Sequence, residues 1–267
     1  MSNKKEEKRI SDEQTRELQK YILDMLLAID NVCREHGLDY YLIAGTMLGA
    51  VRHKGFVPWD DDADVAMPRK DYNEFVKHAN EWLPERYELV SGLQDPMYPY
   101  QFARIQDKET TYILRRKFNF VGGLPVDVFP LDGMTADHSA MVKHYRRYAI
   151  AKKLLYYSTI DPLKHGHGLR WAFTKLMHKF ISQDWAHRHM NDVQREFDYD
   201  RSTLVADHDN APNRGILPKE VYGKPTPIAF EGHPLLGVPD PDTYPRYRYG
   251  DHLTMPKLIN STCDVYL

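Results

Sequence analysis

A run of acidic residues at the start of an apolar stretch constrains this chain more than any other feature. The segment WDDDADVAMP places aspartates at positions 60, 61, 62 and 64, directly before Val65, Ala66 and Met67. Two carboxylates about 5 Å apart repel each other by roughly 3 kcal/mol at an effective dielectric constant near 20. A folded protein tolerates such a cluster only where solvent, cationic side chains or a metal ion compensates the charge.

The alternation of residues in DADVA predicts a strand with two carboxylates on one face. Asp62 and Asp64 would project together, while Ala63 and Val65 point into the core. Mg²⁺ binds through one or two carboxylates, keeps several waters and contacts substrate phosphates. The pair therefore predicts a Mg²⁺ site, with Mn²⁺ as an alternative metal. A solvated acidic turn and the DxD motif of a nucleotide-sugar glycosyltransferase are the competing interpretations.

Two further segments supply candidate partners for the aspartates. Gly45 and Thr46 follow a predicted strand over residues 38–44, where backbone N–H groups and a hydroxyl would meet phosphate oxygens at a helix N-terminus. Asp127 lies in an apolar strand, which favours a metal ligand or a base for an attacking hydroxyl. The structural alternative for Asp127 is a buried pair with an arginine.

Several cationic or aromatic residues are candidates for contacting a phosphorylated substrate. Arg52, His53 and Lys54 lie between the glycine turn and the aspartates, and Arg104 lies on a strand between the two acidic elements. Trp59 would suit a quaternary ammonium group through cation–π attraction. A solvent-exposed charge, or a packing role for Trp59, is the alternative for each.

Hydrophobic periodicity predicts an α+β fold. Ser11 and Gln14 form a capping box that begins an amphipathic helix, which ends before Gly37. The segments RYELV, QFARIQ, TTYILR and LPVDVFPL, separated by glycine, proline and charged turns, predict strands of a mixed sheet. We expect four parts: a flexible tail (1–10), a core (11–135), a helical lobe (136–200) and a C-terminal segment that packs back on the core (201–267).

The helical lobe is strongly basic for a chain of formal net charge −2. Residues 143–188 contain ten Lys or Arg against two Asp, with tyrosines and tryptophans between them. This surface would suit an anionic membrane, a phosphate-bearing glycan or RNA. A solvated helical face with its aromatics in the core is the structural alternative. An apolar stripe predicts a helix through Leu169, Ala172, Phe173, Leu176, Met177, Phe180 and Ile181.

The overall composition limits the class of protein. Length and 42% hydrophobic residues allow a sizeable core, and the near-neutral net charge argues against a nucleic-acid partner. Cys33 and Cys263 are too few for a disulfide framework or a Cys-based zinc site, which favours the reducing cytoplasm. Since the sequence has neither a signal-peptide pattern nor a long apolar run, we expect a cytoplasmic protein, with membrane contact only at the inner face.

Four segments together resemble the LicD family of phosphotransferases. They are AGTMLGAVRHKGFVPWDDDADVAMPRKDY (44–72), FARIQDKETTYI (102–113), PVDVFPLDG (125–133) and FEGHPLLGVPD…YRYGDHLTMP (230–256). Ala63 departs from the pattern, since the family usually has isoleucine or valine between the two aspartates. The resemblance implies a nucleotidyltransferase-like fold, in which a small mixed sheet with flanking helices carries a Gly-Ser/Thr turn, a DxD pair and a third aspartate.

The resemblance also implies a reaction. Members typically transfer phosphocholine from CDP-choline to a hydroxyl of a cell-surface glycan such as lipopolysaccharide, teichoic acid or capsule, and relatives use CDP-ribitol. By analogy, Asp62, Asp64 and Asp127 would be catalytic and hold Mg²⁺ on the diphosphate of a CDP-alcohol, Asp60 would support them, and CMP would leave. A nucleotidyltransferase that releases pyrophosphate from an NTP, and a non-catalytic nucleotide-binding or membrane-docking relative, remain alternatives.

Overall fold

The chain is a mixed α+β protein, as predicted. A computed structural model describes residues 11–113, 118, 120–161, 168–251 and 265–266, so the predicted tail over 1–10 lies outside the described residues. Within these ranges the helices are α1 (Asp12–His36), α2 (Ala44–His53), α3 (Arg69–Trp82), α4 (His138–Thr159), α5 (Leu169–Phe180), α6 (Gln183–Gln194), α7 (Pro212–Gly215), α8 (Lys219–Tyr222) and α9 (Thr243–Tyr249).

The strands in the same ranges form a curled mixed sheet and a separate hairpin. They are β1 (Tyr41–Leu42), β2 (Asp64–Pro68), β3 (Tyr87–Val90), β4 (Ala103–Ile113), β5 (Val121–Met134), β6 (Leu204–Ala206), β7 (Ile216–Pro218), β8 (Thr226–Phe230), β9 (His233–Gly237) and β10 (Val265–Tyr266). The main path runs β1–β2–β5–β4–β10, with β3 also on β4 and with β6 joining β5 to β7. The β2–β5 pair is parallel and the other pairs are antiparallel.

Helix α1 begins and ends at the residues that the sequence predicts. The Ser11 side chain accepts a hydrogen bond from the Gln14 N–H at 3.2 Å, and the Gln14 side chain accepts one from the Ser11 N–H at 2.9 Å. Gly37 ends the helix with a φ of 67°, in the left-handed region that glycine adopts without strain. The capping-box prediction is therefore confirmed.

Strands β1 and β4 differ from the prediction in length. The segment 38–44 forms only the two-residue β1, because Ala44 takes a φ of 49° and starts α2. The two strands predicted from QFARIQ and TTYILR are one strand, β4, whose register against β5 shifts between Asp107 and Tyr112. The charged residues read as a turn are accommodated in this irregularity, since Arg86 pairs with the buried Asp107.

One hydrophobic core unites the N-terminal and C-terminal parts of the chain. Side chains from α1, α3 and the sheet pack together with those of Val205, Tyr222, Phe230 and Tyr244. A second cluster joins α4 to α6 through Tyr148, Leu155 and Met190 among others. No helix in the described part of the chain is both long enough and apolar enough to cross a bilayer.

Candidate functional site

The parallel pairing of β2 with β5 brings the predicted acidic residues into one row. Asp64 begins β2 and pairs in register with Asp127 of β5, while Arg104 of β4 pairs with Asp127 from the other side. Directly paired residues in a sheet project from the same face. The sheet therefore places two carboxylates and one guanidinium side by side on three adjacent strands.

Two polar side chains hold the acidic loop in place. The Gln19 amide of α1 donates to the carbonyl oxygens of Val57 and Asp60 at 3.1 and 2.8 Å. The buried Thr46 hydroxyl accepts the backbone N–H of Asp64 at 2.8 Å. Thr46 therefore positions the first residue of β2, and the phosphate contact predicted for it stays a prediction.

The start of helix α2 lies beside the acidic loop. A Cβ at Gly45 would lie 2.8 Å from Asp60 Oδ2, so the missing side chain lets this carboxylate approach the helix. The N–H groups of a first helical turn carry partial positive charge, which favours an anion there. The N–H of Ala44 donates to the Tyr244 hydroxyl at 3.0 Å, which ties α9 to the same turn.

Charge repulsion and burial change the acidity of the cluster. Desolvation raises the pKa of Asp62 to about 7, repulsion from Asp60, Asp61 and Asp127 adds to the shift, and Arg104 opposes it. Although the protein surrounds Asp62, its side chain remains accessible to water.

The neighbouring carboxylates shift in the same direction. Desolvation, and then repulsion from Asp62 and Asp127, raises the pKa of Asp64 well above its usual value. Desolvation followed by repulsion from Asp61 raises the pKa of Asp60 to about 6. The cluster therefore carries more negative charge than the protein itself compensates.

Arg104 is the cation that faces this cluster directly. Its Nε and Nη2 donate to the two carboxylate oxygens of Asp127 at 2.5 and 3.1 Å, and its guanidinium lies 4.2 Å from the centre of the Tyr100 ring. Its Nη1 is buried and has no hydrogen-bond partner among the described residues. Arg104 thus holds Asp127 with two nitrogens and keeps the third available for a ligand.

The C-terminal segment adds a second arginine that the sequence predictions missed. Arg248 of α9 is buried and donates to Asp207 Oδ2 at 3.1 Å. Its charge also opposes the rise in the pKa of Asp64. The YRYGD segment of the family resemblance was the available signal, but nothing in local spacing connects it to an aspartate almost two hundred residues earlier.

The three-carboxylate metal site of Asp62, Asp64 and Asp127 stays a prediction. Among the residues that the structure describes, no group of three or more His, Cys, Asp or Glu side chains is close enough to hold a metal ion. Asp127 is instead engaged by Arg104. A hard cation that uses one or two carboxylates still fits, because Asp62 and Asp64 carry uncompensated charge and the buried Asp61 Oδ2 has no partner in the described chain.

Three predicted substrate contacts lie at the opposite end of α2 from Gly45. Arg52 and His53 occupy its last turn and Lys54 ends it with a φ of 55°, about 12 Å along the helix axis from Gly45. Lys54 accepts the backbone N–H of Glu231 at 2.7 Å through its carbonyl oxygen. Trp59 is half-buried in the loop that returns from this end to the aspartates. Of the predicted substrate contacts, the structure brings Gly45, Thr46 and Arg104 close to the carboxylates.

The carboxylates of the mixed sheet suit a cation, and the N-terminus of α2 beside them suits an anion, so the site can bind both. Sequence comparison indicates the protein family that carries this site. Residues 37–165 match the profile described as "LicD/FKTN/FKRP, nucleotidyltransferase domain". This match spans β1 to α4, including Asp62, Asp64, Arg104 and Asp127. The resemblance to the LicD family is therefore confirmed over this part of the chain.

One relative that matches over most of its length also carries the family name. The chain is 28% identical over 257 residues to the lipopolysaccharide cholinephosphotransferase LicD of Haemophilus influenzae, covering 90% of this chain and 92% of that protein. Shorter matches reach uncharacterized proteins of Rickettsia prowazekii, 36% identical over 21% of this chain and 19% of that protein, and Rickettsia typhi, 42% identical over 15% and 13%. The match over 257 residues supports the interpretation of this chain as a phosphotransferase.

Proposed function

We propose that this chain transfers a phosphorylated alcohol from a CDP-alcohol to a hydroxyl of a cell-surface glycan, with Mg²⁺, and releases CMP. Phosphocholine and lipopolysaccharide are the first candidates, because the relative in Haemophilus influenzae carries them in its name. The observation that carries the proposal is the row of Asp64, Asp127 and Arg104 within a LicD-family domain. A nucleotidyltransferase-like architecture is part of the same proposal.

The donor diphosphate would be held by a metal ion on carboxylates and by positively charged or N–H donor groups. Asp62 and Asp64 are the residues that would hold Mg²⁺, with Asp127 as a third candidate, and the bound ion would neutralise phosphate charge. Arg104 Nη1, which has no partner in the described ranges, can donate to a phosphate oxygen while the other two nitrogens keep Asp127 oriented. The N–H groups of Gly45 and Thr46 belong to the first turn of α2, where an anion is favoured.

The chemistry requires a new bond from the acceptor oxygen to phosphorus and breakage of the bond that joins this phosphorus to the oxygen of CMP. Phosphoryl transfer depends mainly on positioning and on charge neutralisation. The proton of the acceptor hydroxyl needs a base, and Asp127 is the candidate on the row. Burial raises the pKa of Asp127 and Arg104 opposes the rise, so this carboxylate is a stronger base than a free aspartate.

A nucleotidyltransferase reaction is the second candidate, since the matching family profile carries that word in its description. It would use the same carboxylates but attack the α-phosphorus of an NTP and release pyrophosphate. The two reactions therefore differ in their products and not in the residues they need.

Phosphorus NMR of the full chain with Mg²⁺ separates these reactions. The donors would be a panel of CDP-alcohols, NTPs and nucleotide sugars, each with and without crude cell-surface glycan, and EDTA samples would serve as controls. We expect CMP from one CDP-alcohol, formed faster with glycan. Pyrophosphate from an NTP would instead assign a nucleotidyltransferase, and a nucleoside diphosphate from a nucleotide sugar a glycosyltransferase. Nucleotide binding without turnover of any donor would identify a non-catalytic relative.

A further inference from the structure

Helix α5 carries an apolar stripe that faces solvent. Leu169, Phe173, Leu176 and Phe180 are spaced i, i+4, i+7 and i+11, which places them within about 60° of one another around the helix axis. Their exposed fractions are 90%, 46%, 52% and 73%. The stripe predicted from the sequence is therefore present, but this part of it lies on the surface.

The opposite side of α5 attaches the helix to the rest of the lobe. Thr174 is fully buried, and His178 Nε2 lies 2.9 Å from the carbonyl oxygen of Ile160. Both residues lie about 140–180° around the axis from Leu169. Phe173, at the edge of the stripe, packs its ring edge-on against Tyr157 of α4, with the ring centroids 5.1 Å apart. Leu169, Leu176 and Phe180 face away from the attached side, which is the arrangement of a helix that lies on an interface.

The charges of α5 have one sign. Residues 169–180 contain Arg170, Lys175 and Lys179 and no acidic residue. Lys175 and Lys179 are exposed and lie on the same side of the helix, about 100° and 60° around the axis from Leu176. The Lys175 Nζ lies 4.1 Å from the Trp171 ring centre. Long cationic side chains beside an apolar stripe can rest their methylenes on it and keep their charges in water.

An exposed tryptophan continues the apolar surface beyond the end of α5. Trp185, near the start of α6, is 44% exposed and borders the same surface depression as Lys179 and Phe180. Tryptophan is enriched at membrane–water interfaces because its ring is amphipathic. We call the four stripe residues, Lys175, Lys179 and Trp185 the α5 surface.

We propose that the α5 surface docks on an anionic lipid membrane. Apolar side chains inserted at the headgroup level and flanking cations on anionic lipids are the two contributions that hold an amphipathic helix at a bilayer. Charge complementarity selects this occupant over a second copy of the chain, because two copies of the surface would bring like charges together. The α5 surface shares no residue with the acidic site, so the proposal does not depend on the reaction proposed above.

Vesicle sedimentation of the full chain tests the docking. Vesicles of phosphatidylcholine alone would be compared with vesicles containing phosphatidylglycerol, at low and at high salt. We expect binding to the anionic vesicles that weakens with salt and is nearly absent on neutral ones. Leu176→Ser with Phe180→Ser should weaken binding by roughly tenfold or more, and Lys175→Gln with Lys179→Gln should weaken it by about fivefold or more at low salt.

A matched control separates docking from a general loss of exposed apolar area. Leu93→Ser with Val121→Ser removes two side chains that are 59% and 64% exposed and lie outside the lobe, and it should leave binding unchanged. Circular dichroism and Tm must match the wild type, which we expect because all substituted side chains are exposed. Trp185 emission should shift to the blue with anionic vesicles, and the Trp185→Phe variant should lack this shift.

Three outcomes would overturn the proposal. They are absence of vesicle binding, equal binding to neutral and anionic vesicles, and equal loss of binding in the control variant. Static light scattering adds a fourth. A dimer that Leu176→Ser with Phe180→Ser converts to a monomer, without vesicle binding by the wild type, would assign the α5 surface to a second copy.

Discussion

Strand β5 carries two aspartates, the buried Asp132 and the partly exposed Asp127, whose surroundings differ in charge. Asp132 accepts two hydrogen bonds from Arg69, at 2.6 and 2.7 Å, and His208 Nδ1 lies 3.3 Å from its Oδ2. Burial alone would raise the pKa of Asp132, but Arg69 and His208 outweigh it and the pKa falls below the usual value. At Asp127, by contrast, burial outweighs the single arginine Arg104, and the pKa rises.

The cluster around Asp132 continues as a chain of paired groups. His208 Nε2 lies 2.9 Å from His144 Nε2, and His144 Nδ1 lies 2.6 Å from Glu196, so β5 is connected to α4 and to the end of α6. Both carboxylates of this chain of groups meet an arginine and a histidine, Asp132 with Arg69 and His208 and Glu196 with Arg147 and His144. Within the described residues, the acidic site has more carboxylates than cations, and Arg104 Nη1 has no hydrogen-bond partner there. The comparison indicates that the first cluster stabilises the fold, whereas the second needs the charge of a ligand.

The largest expected effect is a loss of activity on substitution in the acidic site, which the cluster around Asp132 should not show. Asp64→Asn should lower turnover by at least about 1000-fold, because it removes a charge that the proposed reaction needs at the diphosphate. It should not lower the Tm in EDTA, since it also relieves repulsion from Asp62 and Asp127. CMP release and thermal unfolding measure the two quantities. Asp192→Asn, at an exposed carboxylate on α6, is the matched control, and near-normal turnover by Asp64→Asn would contradict the assignment.

The next effect separates the clusters by stability. Asp132→Asn leaves the buried Arg69 without its counter-charge, and breaking a buried pair in this way costs about 3–5 kcal/mol. Urea unfolding should show this loss, while the fraction that remains folded keeps its turnover. A loss below about 1 kcal/mol would mean that the cluster around Asp132 is not the stabilising one. The exposed Asp192→Asn serves again as the reference.

A smaller effect tests the geometry of the arginine in the acidic site. Arg104→Lys keeps the charge but loses the paired hydrogen bonds to Asp127 and the free Nη1, so kcat/KM should fall roughly 10–100-fold. Arg86→Lys changes the same kind of pair, with Asp107, outside the site and should leave kcat/KM unchanged. Equal effects of the two substitutions on kcat/KM would remove Arg104 from the site.

The smallest effect concerns the pH dependence of stability without metal. The folded pKa of Asp62, about 7, exceeds its usual 3.8, so the folded state retains a proton that the unfolded state loses. The contribution of Asp62 protonation to the free energy of unfolding is therefore complete below about pH 4 and declines as pH rises to about 7.

Thermal unfolding in EDTA measures this decline. Relative to Asp62→Asn, the wild type should lose a few degrees of Tm across that interval, and Mg²⁺ at neutral pH should restore them in the wild type only. If the Tm of both proteins changed with pH in the same way, the pKa of Asp62 would not be raised in the folded state.

Features set by neighbouring residues were predicted from the sequence. The capping box of Ser11 and Gln14 and the C-terminal Gly37 of α1 depend on contacts within one turn of helix. The same-face placement of Asp62 and Asp64 stays a prediction, because β2 begins at Asp64 and Asp62 lies before the strand. The sequence also pointed to Asp127 as a third candidate, and Asp127 pairs in register with Asp64. The length of β1 and the continuity of β4 were not predicted, because both depend on pairing with strands elsewhere in the chain.

The sequence by itself determined where charge accumulates, which segments are amphipathic and which family the chain resembles, because these properties are local or shared with relatives. Only the tertiary structure decided which charges meet. Packing placed Arg248 near Asp64, paired Asp127 with Arg104, and carried His53 and Lys54 to the far end of α2. It also turned the apolar stripe of α5 toward solvent, since periodicity defines a face of a helix but only the surrounding helices determine whether that face is covered.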